Sequence, residues 1–112
     1  MSTVIFNQEH KEVIDALLLQ IPGVDPGRMF GYPAYYKDGK MFACIYGNGV
    51  AIKIPKDRVD SLVGQGGIVR FRPMGRRQMK EWIQIDRERS EDYRNDLEIL
   101  KISIDYVSSF VK

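Results

Sequence analysis

The sequence is poor in the residues that most chemistry requires. Among 112 residues there are one cysteine, one histidine and one tryptophan. A lone cysteine forms no intramolecular disulfide, so a reducing cytoplasm is the expected compartment. One His with one Cys is too few for a zinc site of the usual kind. A nucleophilic cysteine needs a base and some exposure. Cys44 lies inside the apolar run Met41-Phe42-Ala43-Cys44-Ile45-Tyr46, and His10 is placed on the polar side of the first predicted helix. Asp57 with Asp60, and Glu91 with Asp92, fit helix surfaces and first turns better than paired catalytic acids. Long apolar runs are missing too, none approaching the roughly 20 residues that cross a bilayer. Met1 to Asn7 has neither a basic n-region nor a long apolar h-region, so no secretory signal is expected. Repeats, low-complexity tracts and linkers are absent, and residues 1–112 read as a single domain. The expectation is a non-enzyme with no cofactor, no metal and no membrane span.

Charge is what the sequence has, unevenly placed. The net charge of +2 conceals 13 bases against six acids in residues 28–89. Between Ser61 and Lys80 stand Arg70, Arg72, Arg76, Arg77 and Lys80 with no acid at all.

Asn7 is placed to cap a first helix, with Val13, Ile14, Leu17, Leu18 and Ile21 on one stripe, ended by Pro22-Gly23. Val24 to Gly27 reads as a loop. Tyr32 to Lys37 alternates as a strand, and Pro33 within it predicts an edge position or an irregular start. Asp38-Gly39 suits a type I′ hairpin turn. The unbroken run Met41–Tyr46 predicts a central strand covered on both faces. Gly47-Asn48-Gly49 reverses the chain into Val50–Ile54. Pro55-Lys56-Asp57 opens a short helix with Gly64 as its cap. Residues 68–72 and 79–86 read as a second hairpin, with Arg70 and Arg72 on one face. Ser90 is placed to cap a last helix, in which Tyr93, Leu97, Leu100, Ile104, Val107 and Val111 repeat at helical spacing. The order is α-β-β-β-α-β-β-α, an α+β domain with helices packed on an antiparallel sheet.

Arg28-Met29-Phe30-Gly31, Asp38-Gly39-Lys40-Met41-Phe42-Ala43, Val50-Ala51-Ile52-Lys53 and Phe71-Arg72-Pro73-Met74-Gly75 carry a resemblance to the N-terminal domain of the TfoX family of bacterial competence regulators. The chain is also similar to the YjbR-like small proteins. The resemblance covers roughly residues 8 to 110. It implies an α+β fold of the secretion-chaperone-like type and a regulatory role, with no catalytic residues to carry over. The competence regulators have a second, C-terminal domain; this sequence stops after the first, so that domain's activities do not transfer.

Three stretches have a functional reading beside a plainer one. Arg70, Arg72, Arg76, Arg77 and Lys80 form a phosphate-contacting patch, with Tyr35, Tyr36 and Trp82 as stacking faces, or else a solvated hairpin whose charges protect a sheet edge. Arg28-Met29-Phe30-Gly31 borders a pocket or, more ordinarily, is core followed by a bend. Gly64-Gln65-Gly66-Gly67 lies between a helix and a strand, the reverse of a phosphate-cradling loop. Two functions remain: a non-catalytic regulatory or protein-interaction domain, acting through its sheet face, its hairpin or self-association as a homodimer, and a nucleic-acid-binding module using residues 70–80.

Overall fold

The computed structural model describes residues 5–73 and 79–110. Helix α1, Gln8–Leu18, begins where Asn7 accepts a hydrogen bond from the His10 backbone N–H at 3.1 Å, the expected cap. It buries Val13, Ile14, Leu17 and Leu18. A turn through residues 19–23 leads into β1, Val24–Met29, which pairs with β2, Tyr32–Lys37, along its whole length. The expected loop at Val24–Gly27 is therefore a strand. Its composition misleads because β1 is an edge, where Pro26 needs no partner on its outer side. Gly27 is required by packing: a Cβ there would stand 2.6 Å from the Tyr36 ring, which lies across it.

Strands β3, Lys40–Tyr46, and β4, Gly49–Lys53, complete a meander, and Asp38 and Gly39 turn with φ of 51° and 83° as a type I′ pair. Pro33 sits in an interior strand, not at an edge. The β2–β3 ladder starts only at Ala34–Cys44, so the missing proline N–H costs no bond there. Register shifts once: Tyr35 faces Ala43 and Tyr36 faces Met41, leaving Phe42 as a bulge residue. The bulge resets the parity of β3, so that Phe42 and Ala43 both join the helix-side core.

Helix α2, Lys56–Leu62, leads through Gly64 (φ 100°) to β5, Ile68–Arg70. Strand β6, Trp82–Asp86, slots between β4 and β5. Among the described residues the sheet has six antiparallel strands in the order β1-β2-β3-β4-β6-β5. Ser90–Asp96 is a 3₁₀ helix, and α3, Leu97–Ser108, follows it. Ser90 therefore caps no α-helix. Within this segment Tyr93 is fully buried, donates to the Ile85 carbonyl at 3.1 Å, and pins the segment to the end of β6. In α3, Leu100, Ile104 and Val107 are buried, and the Ser103 hydroxyl donates to the Phe42 carbonyl at 3.1 Å. Each fully buried Leu or Ile contributes roughly 1.5–3 kcal/mol. The helices' buried residues cluster with one face of the sheet.

His10 also departs from expectation. It is 1% exposed, not polar-facing, and its ring meets Tyr93 edge-on with centroids 4.9 Å apart. Its Nδ1 lies 3.3 Å from the Tyr93 hydroxyl, and its Nε2 has no hydrogen-bond partner among the described residues. Burial lowers the pKa of His10, against the opposing pull of Glu9, the Asn48 carbonyl and Asp86. The unfolded chain therefore takes up a proton on this side chain more readily than the fold. Stability on this account is complete above about pH 6.5 and declines as the pH falls below it. Thermal melts should show Tm dropping from neutral pH to about pH 5, with a flatter profile in His10→Gln. Parallel profiles for the two proteins would assign the slope to carboxylates instead.

Candidate functional site: an open aromatic face

The second face of the sheet carries no helix among the described residues. Its centre is a cross-strand row of small side chains, with Ala34 opposite Cys44 and Cys44 opposite Ala51, all 0–1% exposed. Small residues on three neighbouring strands leave room for rings to lie on the sheet. Phe71 and Trp82 fill it, 2% and 6% exposed, with centroids 5.8 Å apart. Tyr46 meets Phe71 edge-on at 5.3 Å, and Tyr32 lies 4.8 Å from Tyr46. The result is a chain of four rings around a hollow. The Met79 N–H donates to the Phe71 carbonyl at 3.0 Å, which brings Met79 to its rim.

The hollow is a cavity of about 410 Å³, within the size range of small-molecule and anchor-residue sites. Met29, Met41 and Met79 line it between the rings. At its mouth stands Phe30, 78% exposed and with φ of 50°. Phe30 and Gly31 are the two central residues of the β1–β2 hairpin, and both have positive φ. A β-hairpin turn of that type favours Asn-Gly. A phenylalanine in the left-handed region costs roughly 1–2 kcal/mol.

Beside the cavity runs a groove of about 320 Å³ that shares Met79 and Trp82 with it and adds Lys53, Lys56, Lys80 and Glu81. The Lys53 ammonium lies 5.8 Å from the centre of the Trp82 ring, a cation–π distance, and 3.1 Å from Glu81. Glu81 also accepts from the Tyr106 hydroxyl at 2.8 Å. That bond and the Lys53 ammonium hold its carboxyl below the usual range. Lys56 and Lys80 are exposed and form no ion pair among the described residues.

Three of the basic residues singled out from sequence, Arg70, Arg72 and Lys80, lie among the described residues, and their surroundings differ. Arg70 is bound to Asp60 of α2 at 3.0 Å, on the β5 edge. Arg72 is exposed beside Phe71. Arg76 and Arg77 lie outside the described residues. Lys80 belongs to the lysine groove. Of the three stacking candidates, Tyr35 is on the helix side, 1% exposed, and donates to Asp15 at 2.5 Å. Tyr36 covers Gly27, and its hydroxyl donates to the Arg28 carbonyl at 3.2 Å. Trp82 faces the cavity.

Met29 and Phe30 do border a pocket, the less ordinary of their two readings. Phe-Gly at a turn position that prefers Asn-Gly was the available signal. Tyr32, Met41, Tyr46 and Phe71 were not visible as site residues, because alternation identifies a face without saying what covers it. Cys44 is fully buried as expected, and burial pushes its thiol up to about 12. It lies in the open-face cluster, whereas His10 packs against Tyr93 of the helix-side core. The glycine run 64–67 has a structural use: the Gly66 carbonyl accepts from Arg87 at 2.6 Å. Among the described residues no group of three His, Cys, Asp or Glu is placed to hold a metal ion, and no helix is long and apolar enough to cross a membrane.

Comparison with curated proteins and with solved structures returns no match. The family comparison does, and over most of the fold just described: the TfoX N-terminal domain matches residues 16–106, from the last turn of α1 to the last turn of α3, and the chain belongs to that family.

Proposed function

We propose that this domain is a non-catalytic, regulatory protein-interaction module of the cytoplasm that holds an apolar anchor side chain of its partner in the cavity on the open face of the sheet. The observation that carries this reading is Phe30: a large apolar side chain, 78% exposed, in an unfavourable backbone conformation at the mouth of a 410 Å³ apolar cavity. Backbone strain of this kind clusters at binding and active sites. The methionines suit the task, since their flexible thioethers repack around anchors of different shape. Burying a ring or branched side chain among aromatic walls is also how interface hot spots obtain most of their affinity.

Panning a random dodecapeptide display library on the immobilised domain tests the reading. The expected result is a consensus built on one or two large apolar residues, lost on Phe30→Asn protein. Enrichment no greater than on that variant would sink it. Nucleic-acid binding through residues 70–80 predicts instead an affinity for random DNA that falls steeply with salt. The engagement of Arg70 by Asp60 argues against that alternative.

A further inference from the structure

We infer that the partner segment is acidic as well as apolar: an extended peptide whose anchor enters the aromatic cavity and whose neighbouring Asp or Glu side chains lie in the lysine groove beside Trp82. The inference rests on the protein-interaction reading and names the chemistry of the partner. Its first support is continuity. Cavity and groove share Met79 and Trp82, so a chain leaving the one enters the other. An extended peptide advances roughly 3.3 Å per residue, so acids one to three residues from the anchor come within reach of the groove.

The second support is charge. The groove presents three ammonium groups, Lys53, Lys56 and Lys80, against one carboxylate, Glu81. That carboxylate is already occupied by Lys53 at 3.1 Å and by the Tyr106 hydroxyl at 2.8 Å. Lys56 and Lys80 are left to meet an incoming anion. An isolated exposed ion pair adds little affinity, but such charges select among partners and accelerate encounter when an apolar anchor supplies the binding energy. Nucleic acid fits the same lysines less well. Phe71 and Trp82 are 2% and 6% exposed and lie on the sheet, without the open ring faces that base stacking needs.

The test repeats the dodecapeptide panning on wild-type protein and on the Lys56→Glu/Lys80→Glu double variant, whose changes are at exposed positions. Wild-type selection should enrich Asp and Glu within three residues of the apolar anchor, and the double variant should lose that enrichment while keeping the anchor. The most enriched peptide should bind the double variant about tenfold or more weakly, and its Asp-to-Ser analogue should bind both proteins alike. An apolar consensus without acidic enrichment would overturn the inference and leave the protein-interaction reading standing. No consensus at all would remove both. Displacement of the peptide by oligothymidylate in a manner abolished by Lys56→Glu/Lys80→Glu would reassign the groove to nucleic acid and overturn it too.

Discussion

Replacing Arg87 with alanine is expected to destabilise the domain by about 3–5 kcal/mol, enough to consume much of the roughly 5–15 kcal/mol that holds a domain folded. Arg87 donates from Nε and Nη2 to the two oxygens of Asp96, at 2.9 and 2.6 Å, and from Nη1 to the Gly66 carbonyl at 2.6 Å. One planar guanidinium thereby ties the end of β6 to the turn before β5 and to the junction of the 3₁₀ helix with α3. Asp96 is 4% exposed. Without its partner it becomes a buried, uncompensated carboxylate, and that residual charge dominates the cost. The bond to Asp96 also keeps the arginine's pKa above its ordinary value. Urea unfolding of Arg87→Ala and of the Arg87→Met/Asp96→Leu pair separates the causes: the double variant should recover most of the loss, because both charges are gone. A single-variant loss below about 1 kcal/mol would mean that solvent reaches Asp96 freely.

How much of this was legible in the sequence depended on whether the signal was local. Asn7, the Asp38-Gly39 turn, the apolar run of β3 and the Leu100–Ile104–Val107 spacing each state their structure within a few residues, and each holds. What failed is set by distant partners. Pro26 and Gly27 look like loop because strand propensity ignores that an edge tolerates proline and that Tyr36 needs an empty Cβ position. Ser90 looks like an α-helix cap, but the segment it opens, which Tyr93 pins to Ile85, is a 3₁₀ helix. His10 looks solvated until the 3₁₀ segment, some 80 positions on, closes over it. The site suffers from the same defect. The apolar run of β3 predicts cover on both faces, yet the cover is helices on one side and rings on the other, and sequence periodicity does not distinguish them.

Changing Phe30 to asparagine should move stability and binding in opposite directions. Asn-Gly is the pair that this turn geometry favours, so the variant relieves the left-handed phenylalanine and should gain about 0.5–1 kcal/mol. The exposed ring makes little contact whose loss would offset that gain. At the same time the mouth of the cavity loses its apolar wall, and affinity for the selected peptides should fall about tenfold. A variant that is both more stable and undiminished in binding would make Phe30 an ordinary exposed residue and the cavity an accident of packing.

The two borders of the sheet bear on whether copies of this domain can pair edge to edge. One border strand carries Pro26 at its middle, and the other is three residues long with Arg70 drawn aside by Asp60. Neither is a good template for an added strand, so growth of the sheet from copy to copy is suppressed at both ends. On the protein-interaction reading proposed above, recognition falls instead on the face that carries the aromatic hollow. A hollow that seats one anchor side chain at a time would then give complexes that saturate at one partner to one domain, the stoichiometry of a component titrated against its target.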